Sequence, residues 1–146
     1  MKNELEKVMS GRDMTENEMN MLANSIIQGE LSEVQIASFL VALKMKGEAA
    51  SELTGLARAL QKAAIPIPTN LTNAMDNCGT GGDRLFSFNI STTAAFVLAA
   101  GGVNMAKHGN RSITSKSGSA DVLEALGINL YLPAEKLAQV FDKVGL

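Results

Sequence analysis

Through residues 1–65 the apolar positions recur every three or four residues, the period of an amphipathic helix. Thr15-Glu16-Asn17-Glu18 has the form of a capping box, in which the first and fourth side chains each accept a hydrogen bond from the other residue's backbone N–H. Met19, Leu22 and Ile26 follow on one face until Gly29 ends the helix. Ser32-Glu33-Val34-Gln35 repeats the signal and opens a helix bearing Ile36, Phe39, Leu40 and Leu43, closed by Gly47. A further helix is predicted from about Ser51, with Leu53, Leu56, Leu60 and Ala64 as its apolar stripe. Connections of a few residues make these helices antiparallel neighbours.

The texture then changes. Ile65-Pro66-Ile67-Pro68 cannot continue a helix, because each proline removes a donor and restricts the residue before it. Residues 66–73 read as a hinge. Beyond it, residues 74–78 are a strand candidate running into the turn Gly79-Thr80-Gly81-Gly82-Asp83. Ser91-Thr92-Thr93 is predicted to cap a buried helix over 94–100, and 103–107 is a second strand candidate. Ser119 is predicted to cap a helix reaching Leu126, followed by a third strand over 128–132 and a last helix from Pro133. The alternation predicts an α/β chain: a helical subdomain over 1–65, then the start of a parallel-sheet domain over 74–146.

Composition narrows the function classes. The chain has 146 residues, 46% hydrophobic and 19% charged, with net charge −2. No broad basic field exists to hold nucleic acid or an anionic membrane surface, so neither is expected as a partner. One cysteine, Cys78, and one histidine, His108, rule out an intrachain disulfide and multi-Cys or multi-His metal clusters. Cys78, ending an apolar segment with no base near it in sequence, is expected to be a small core residue. The eight methionines are expected to fill the core. The N-terminus lacks the apolar segment of a secretory signal, and the apolar run over 94–102 falls far short of the ~20 residues that span a bilayer. A cytoplasmic location is expected.

Charge placement points to an anion. No acidic residue lies between Asp83 and Asp121, whereas Arg84, Lys107, Arg111 and Lys116 do, among many hydroxyl and amide side chains. Glycines at 79, 81 and 82 let backbone N–H groups converge on a phosphate. The turn is neither a Walker A motif nor a dinucleotide fingerprint, and a ligand-free tight turn also fits it. Asp76 and Asp83 flank it as candidate metal, sugar or turn-stabilising groups. His108 fits either a structural hydrogen bond or a ligand contact.

Four motifs in order then carry a resemblance. Asp76-Asn77-Cys78-Gly79-Thr80-Gly81-Gly82-Asp83, Phe88-Asn89-Ile90-Ser91-Thr92, Ala106-Lys107-His108-Gly109-Asn110-Arg111, and the run Ser115-Lys116-Ser117-Gly118-Ser119-Ala120-Asp121 continuing to Gly127 resemble the anthranilate phosphoribosyltransferases. The resemblance implies transfer of 5-phosphoribose from phosphoribosyl pyrophosphate to anthranilate, a step of tryptophan biosynthesis. It implies phosphoribosyl pyrophosphate contacts at Gly79, Gly82, Asp83, Ser87, Asn89, Ile90, Ser91 and Thr92. It implies further contacts at Lys107, His108, Gly109, Asn110, Arg111, Ser112, Ile113, Thr114, Ser115 and Ser119. Gly79, His108 and Asn110 would face anthranilate, and Ser91 would ligate one Mg2+. It also implies a homodimer through the N-terminal helices. Arg84 departs from the small residue usual in the family after the aspartate. Family members continue well beyond Leu146, so the chain is expected to be an N-terminal portion with little or no activity alone. A pyrimidine nucleoside phosphorylase shares the lysine–histidine pair and the Thr-Gly-Gly turn but not the run 117–127. A non-enzymatic dimerisation or ligand-binding module is the other alternative.

Overall fold

The computed structural model describes residues 1–79, 88–111 and 117–146. It resolves into two compact units, Met1–Ile65 and Pro66–Leu146. The first unit is a bundle of four helices: α1 (Lys2–Met9), α2 (Glu16–Ile27), α3 (Glu33–Lys46) and α4 (Ala50–Ala63). Both capping boxes form. Thr15 Oγ1 accepts from Glu18 N (3.2 Å) while Thr15 N donates to Glu18 Oε2 (2.7 Å), and Ser32 and Gln35 do the same at 3.4 and 2.9 Å. Lys7 Nζ adds an ion pair to Glu18 at 2.7 Å. That hydrogen bond, with those from Thr15, holds the Glu18 carboxyl at about 2. α2 packs along α4 and α1 along α3. Val8, Met14, Met19, Leu22, Phe39 and Leu43 form the core between them.

α4 departs from its predicted face. Leu53 and Leu60 stand outward, and the buried side is Glu52, Gly55 and Ala59. Gly55 makes this possible: a Cβ there would collide with the Glu16 carbonyl oxygen and come within 2.9 Å of Met19 Cβ. The backbones of α2 and α4 therefore approach closely, and Asn20 Nδ2 reaches the Gly55 carbonyl at 3.1 Å. Leu40 of α3 is likewise exposed, unlike its stripe-mates Phe39 and Leu43. The helix start is set by Glu52 rather than by Ser51. Glu52 Oε2 accepts from Ala49 N (2.7 Å) and Lys46 Nζ (3.0 Å), and Oε1 from Met14 N (2.9 Å). Ser51 Oγ donates instead to the Met14 carbonyl at 2.7 Å. Burial pushes the Glu52 carboxyl up, but the two backbone N–H groups and the Lys46 ammonium outweigh it and hold it below its ordinary value. The methionines divide: Met14, Met19 and Met105 are buried, whereas Met9, Met21, Met45 and Met75 are exposed.

The second unit carries α5 (Ile90–Ala100), α6 (Ser119–Ala125) and α7 (Ala134–Val144). α5 starts earlier than predicted, placing Ser91, Thr92 and Thr93 inside its first turn rather than before it. Only one face is buried, through Thr92 and Ala95, while Val97 is exposed. Among the described residues the predicted strands reduce to one isolated parallel bridge, Met75 to Met105. Met75 N donates to the Asn104 carbonyl (2.8 Å), and Ala106 N to the Met75 carbonyl (2.9 Å). A parallel ladder gains its stability from neighbours on both edges, and here Met105 N donates instead to the Gly145 carbonyl at the end of α7 (2.7 Å). Residues 128–132 form no strand. Ile128 N caps α6 by donating to the Leu123 carbonyl, and Asn129 Oδ1 accepts from Tyr131 N, which bends the chain into a turn. Among the described residues the second unit therefore shows helices and one parallel pairing, without a sheet. Residues 69 and 70 are fixed within this unit, since Thr69 Oγ1 and Asn70 N donate to the Asp142 carboxylate of α7.

Candidate functional site

The Met75–Met105 bridge sets the site's register. In a parallel pair, residues equally far beyond the bridge stay side by side, which brings Cys78 next to His108. His108 Nδ1 lies 3.4 Å from Cys78 Sγ. Asp76 stitches the two segments together: its Oδ1 accepts from Cys78 N (2.9 Å) and from His108 N (3.3 Å). Asn77 joins them to a helix, since its Nδ2 donates to the Ser91 carbonyl in the first turn of α5 at 2.9 Å. Gly79 sits over the same turn, a Cβ there lying 3.9 Å from Ser91 Oγ.

The loop after the bridge is fixed at its other end by α6. Asn110 N donates to Ser119 Oγ (3.1 Å), Ser119 Oγ donates to the Asn110 carbonyl (3.3 Å), and Ala120 N reaches the same carbonyl (3.2 Å). Gly109 is required by this contact, because a Cβ would collide with Ser119 Oγ and stand 3.0 Å from Ser119 Cβ. Ser119 is therefore not the α6 cap. The N-cap is Gly118, whose N–H donates to Asp121 Oδ2 at 2.7 Å.

Three stretches thus meet: the turn at 76–79, the first turn of α5, and the loop 107–110. The resemblance-implied residues fare differently within them. Gly79, Ser91, Lys107, His108, Gly109, Asn110 and Ser119 are brought together by the bonds above. Lys107 Nζ donates to the His108 carbonyl at 3.4 Å and makes no ion pair among the described residues. Asn89 precedes α5, where its carbonyl accepts from Thr93 N and Oγ1. Ile90 offers no polar side chain, and its N–H donates to the Phe88 carbonyl at 2.7 Å. Thr92 is buried, at 3% exposure. The Arg111 guanidinium is committed elsewhere: it grips Glu124 bidentately at 2.7 and 2.6 Å and Tyr131 Oη at 2.8 Å, contacts that raise its pKa. Gly82, Asp83, Arg84, Ser87, Ser112, Ile113, Thr114 and Ser115 lie outside the described residues.

Two residues were misjudged or passed over from sequence. Cys78 is exposed, not a core residue, and a base does stand beside it. A parallel bridge between distant segments supplies that base, and no local pattern reports such a pairing. Asn77, to which no role was assigned, ties the turn to α5, and its own Oδ1 is buried with no partner among the described residues.

The electrostatics favour an anion over covalent chemistry. The Asp76 carboxylate, above all, pushes the Cys78 thiol up, with burial adding and Lys107 opposing. A neutral thiol is a poor nucleophile at neutral pH. Burial pushes Asp76 up, but the Cys78 thiol and N–H and the His108 N–H outweigh it and keep the carboxyl below its ordinary value. No acidic side chain occupies the first turn of α5, so its N-terminal N–H groups and the Lys107 ammonium present a positive end. This arrangement can hold a phosphate group and position a second ligand against His108 and Asn110.

Comparison with known proteins agrees in both halves. Residues 2–64 match the helical bundle domain of a glycosyl transferase family, and residues 71–146 match the a/b domain of the same family. All 146 residues align at 99% identity with an anthranilate phosphoribosyltransferase of Lactococcus lactis subsp. lactis, covering 44% of that protein. They align at 60% identity with one from Streptococcus mutans, again covering 44% of it. A crystal structure of anthranilate phosphoribosyltransferase from Thermus thermophilus superposes with TM-score 0.86 at 42% identity, over 97% of this chain and 43% of that one. The chain spans less than half the length of the relatives it matches.

Proposed function

The chain belongs to the glycosyl transferase family, with that family's helical bundle domain followed by its a/b domain, and from that premise we propose that it serves anthranilate phosphoribosyltransfer. The reaction joins the anthranilate amine to C1 of 5-phosphoribose taken from phosphoribosyl pyrophosphate, releasing pyrophosphate. The observation that carries this reading is the 99% identity along the whole chain to a protein of that name. The phosphoribosyltransferase reading is also supported by the phosphate-compatible meeting of the 76–79 turn, α5 and the Lys107 loop.

Each group has a task in this reading. Gly79 lies beside the first turn of α5, where backbone N–H groups and the helix end face the diphosphate. Lys107 neutralises charge as the leaving group departs. His108 and Asn110, held by Asp76 and Ser119 respectively, orient the anthranilate amine. A modest amine nucleophile gains most from such positioning. Ser91 is the proposed Mg2+ ligand. Its hydroxyl and the buried Asn77 Oδ1, which has no partner among the described residues, are neutral oxygen donors, which fit a hard cation that takes its remaining ligands from phosphate oxygens and water. Bound there, Mg2+ would stabilise the developing pyrophosphate charge.

The proposal includes a cytoplasmic homodimer formed through the N-terminal helices. No described helix is long and apolar enough to cross a membrane. Between α1 and α3 runs an apolar groove lined by Leu5, Val8, Met9, Val41, Ala42 and Met45, of which Met9, Val41 and Met45 are well exposed.

Thermal-shift titration with phosphoribosyl pyrophosphate and Mg2+ tests the ligand assignment, with duplex DNA as the control. Stabilisation by the sugar phosphate alone is expected. Lys107→Ala weakens that binding by about 1.5–3 kcal/mol, the worth of a charge-assisted hydrogen bond. A shift with DNA and none with the sugar phosphate sinks the reading.

A further inference from the structure

Among the described residues one group combines three metal-ligating side chains of different chemistry: Asp76, Cys78 and His108. Their ligand atoms all lie within 4.8 Å of one another, and all three residues are exposed to solvent. We propose that this trio is a binding site for one thiophilic divalent cation of the Zn2+ class, separate in chemistry from the oxygen donors around Ser91.

The geometry is close to that of a bound cation. A tetrahedral centre with metal–sulfur bonds of ~2.3 Å and metal–nitrogen bonds of ~2.0 Å separates its S and N ligands by ~3.5 Å. Cys78 Sγ and His108 Nδ1 stand 3.4 Å apart. Asp76 offers a carboxylate oxygen within 4.8 Å of both atoms as the third protein ligand, leaving a fourth position for water or a ligand oxygen. The scaffold is already arranged, because the Met75–Met105 bridge and the two backbone N–H bonds to Asp76 Oδ1 hold the segments in register.

Thiolate, imidazole and carboxylate together select a borderline-soft cation over Mg2+, which prefers an all-oxygen octahedron. On binding, the Cys78 thiol proton leaves to solvent and the metal–sulfur bond replaces the S–H bond. Lys107 is the opposing charge nearby. It favours the thiolate while repelling the cation, and the new thiolate together with the Asp76 carboxylate offsets it.

Co2+ is the probe that tests this, because a cobalt–thiolate bond gives a near-ultraviolet charge-transfer band that oxygen and nitrogen ligands do not. The whole chain is expected to take up one Co2+ with that band, displaceable by Zn2+ and unaffected by Mg2+. Cys78→Ser should abolish the band, and both Cys78→Ser and His108→Ala should weaken binding at least tenfold, with helical circular dichroism unchanged. Absence of the band in the unsubstituted protein overturns the proposal. So does equal affinity in both variants, or displacement by Mg2+ at the concentration at which Zn2+ acts.

Discussion

Gly109 shows how much a single position carries here. Its missing Cβ is what lets the Lys107 loop lie against Ser119, whose hydroxyl both accepts from Asn110 N and donates to the Asn110 carbonyl. Gly109→Ala must push the loop away from α6 by breaking that pair of bonds. Loss of phosphoribosyl pyrophosphate affinity by about tenfold or more is expected, comparable with the net worth of one or two hydrogen bonds. Titration calorimetry of the variant checks it, and unaltered affinity would show that Asn110 and Ser119 do not position the loop. Residue identities around this loop were readable in sequence; their employment was not. Arg111 looked like a phosphate ligand, yet its guanidinium faces Glu124, a residue thirteen positions away that only the fold brings near.

At the scale of elements, the first unit is tied by one buried carboxylate. Glu52 accepts from the chain entering α2, from the N-cap of α4 and from Lys46 at the end of α3. Lys46 is itself buried to 5% exposure and also pairs with Asp13 at 2.7 Å. Glu52→Ala leaves one buried and one half-buried N–H group without acceptors and removes one partner of a buried ion pair. A loss of about 3 kcal/mol is expected, read from denaturant unfolding followed by helical circular dichroism. Local signals located α2, α3 and α4, because capping boxes and stop glycines are short-range chemistry, but α1 has no side-chain cap to announce it. They placed the α4 face wrongly. Leucines at 53 and 60 looked like its core stripe, but the close approach of α2 at Gly55 favours the face with small residues.

Over the whole molecule, acid sensitivity has a clear sign. Glu18 is held at about 2, and Glu4, Glu52 and Asp76 below their ordinary values, by hydrogen bonds and charges present only in the folded chain. The unfolded chain therefore binds more protons below about pH 4.5, the ordinary value of a glutamate, and folding stability is lost as pH falls from there through 2. Melting temperature should hold level just above that window and decline within it, and Glu18→Gln should flatten the decline. A melting temperature independent of pH between 5 and about 2 would contradict this. Assembly is the other property of this scale. Exposed Met9, Val41 and Met45 line one groove, so Val41→Glu should shift the sedimenting species from dimer toward monomer at micromolar concentration.

The positions of α2, α3 and α4 followed from the order of residues along the chain, because caps, glycine stops and apolar period act within a few residues, whereas α1 carries no such cap and α5 begins ahead of its predicted one. The motifs around Gly79, Ser91 and Lys107 were likewise visible as a donor inventory. The strands were not as the alternation suggested, since a parallel pair depends on distant neighbours, and what forms is a single bridge at Met75 and Met105. That bridge, with the Asp76 bonds to both segments, set Cys78 beside His108 and turned an apparent core cysteine into part of an exposed cluster. Short-range chemistry is written locally, whereas the pairing of a thiol with an imidazole thirty residues away depends on backbone register, which exists only once the chain has folded.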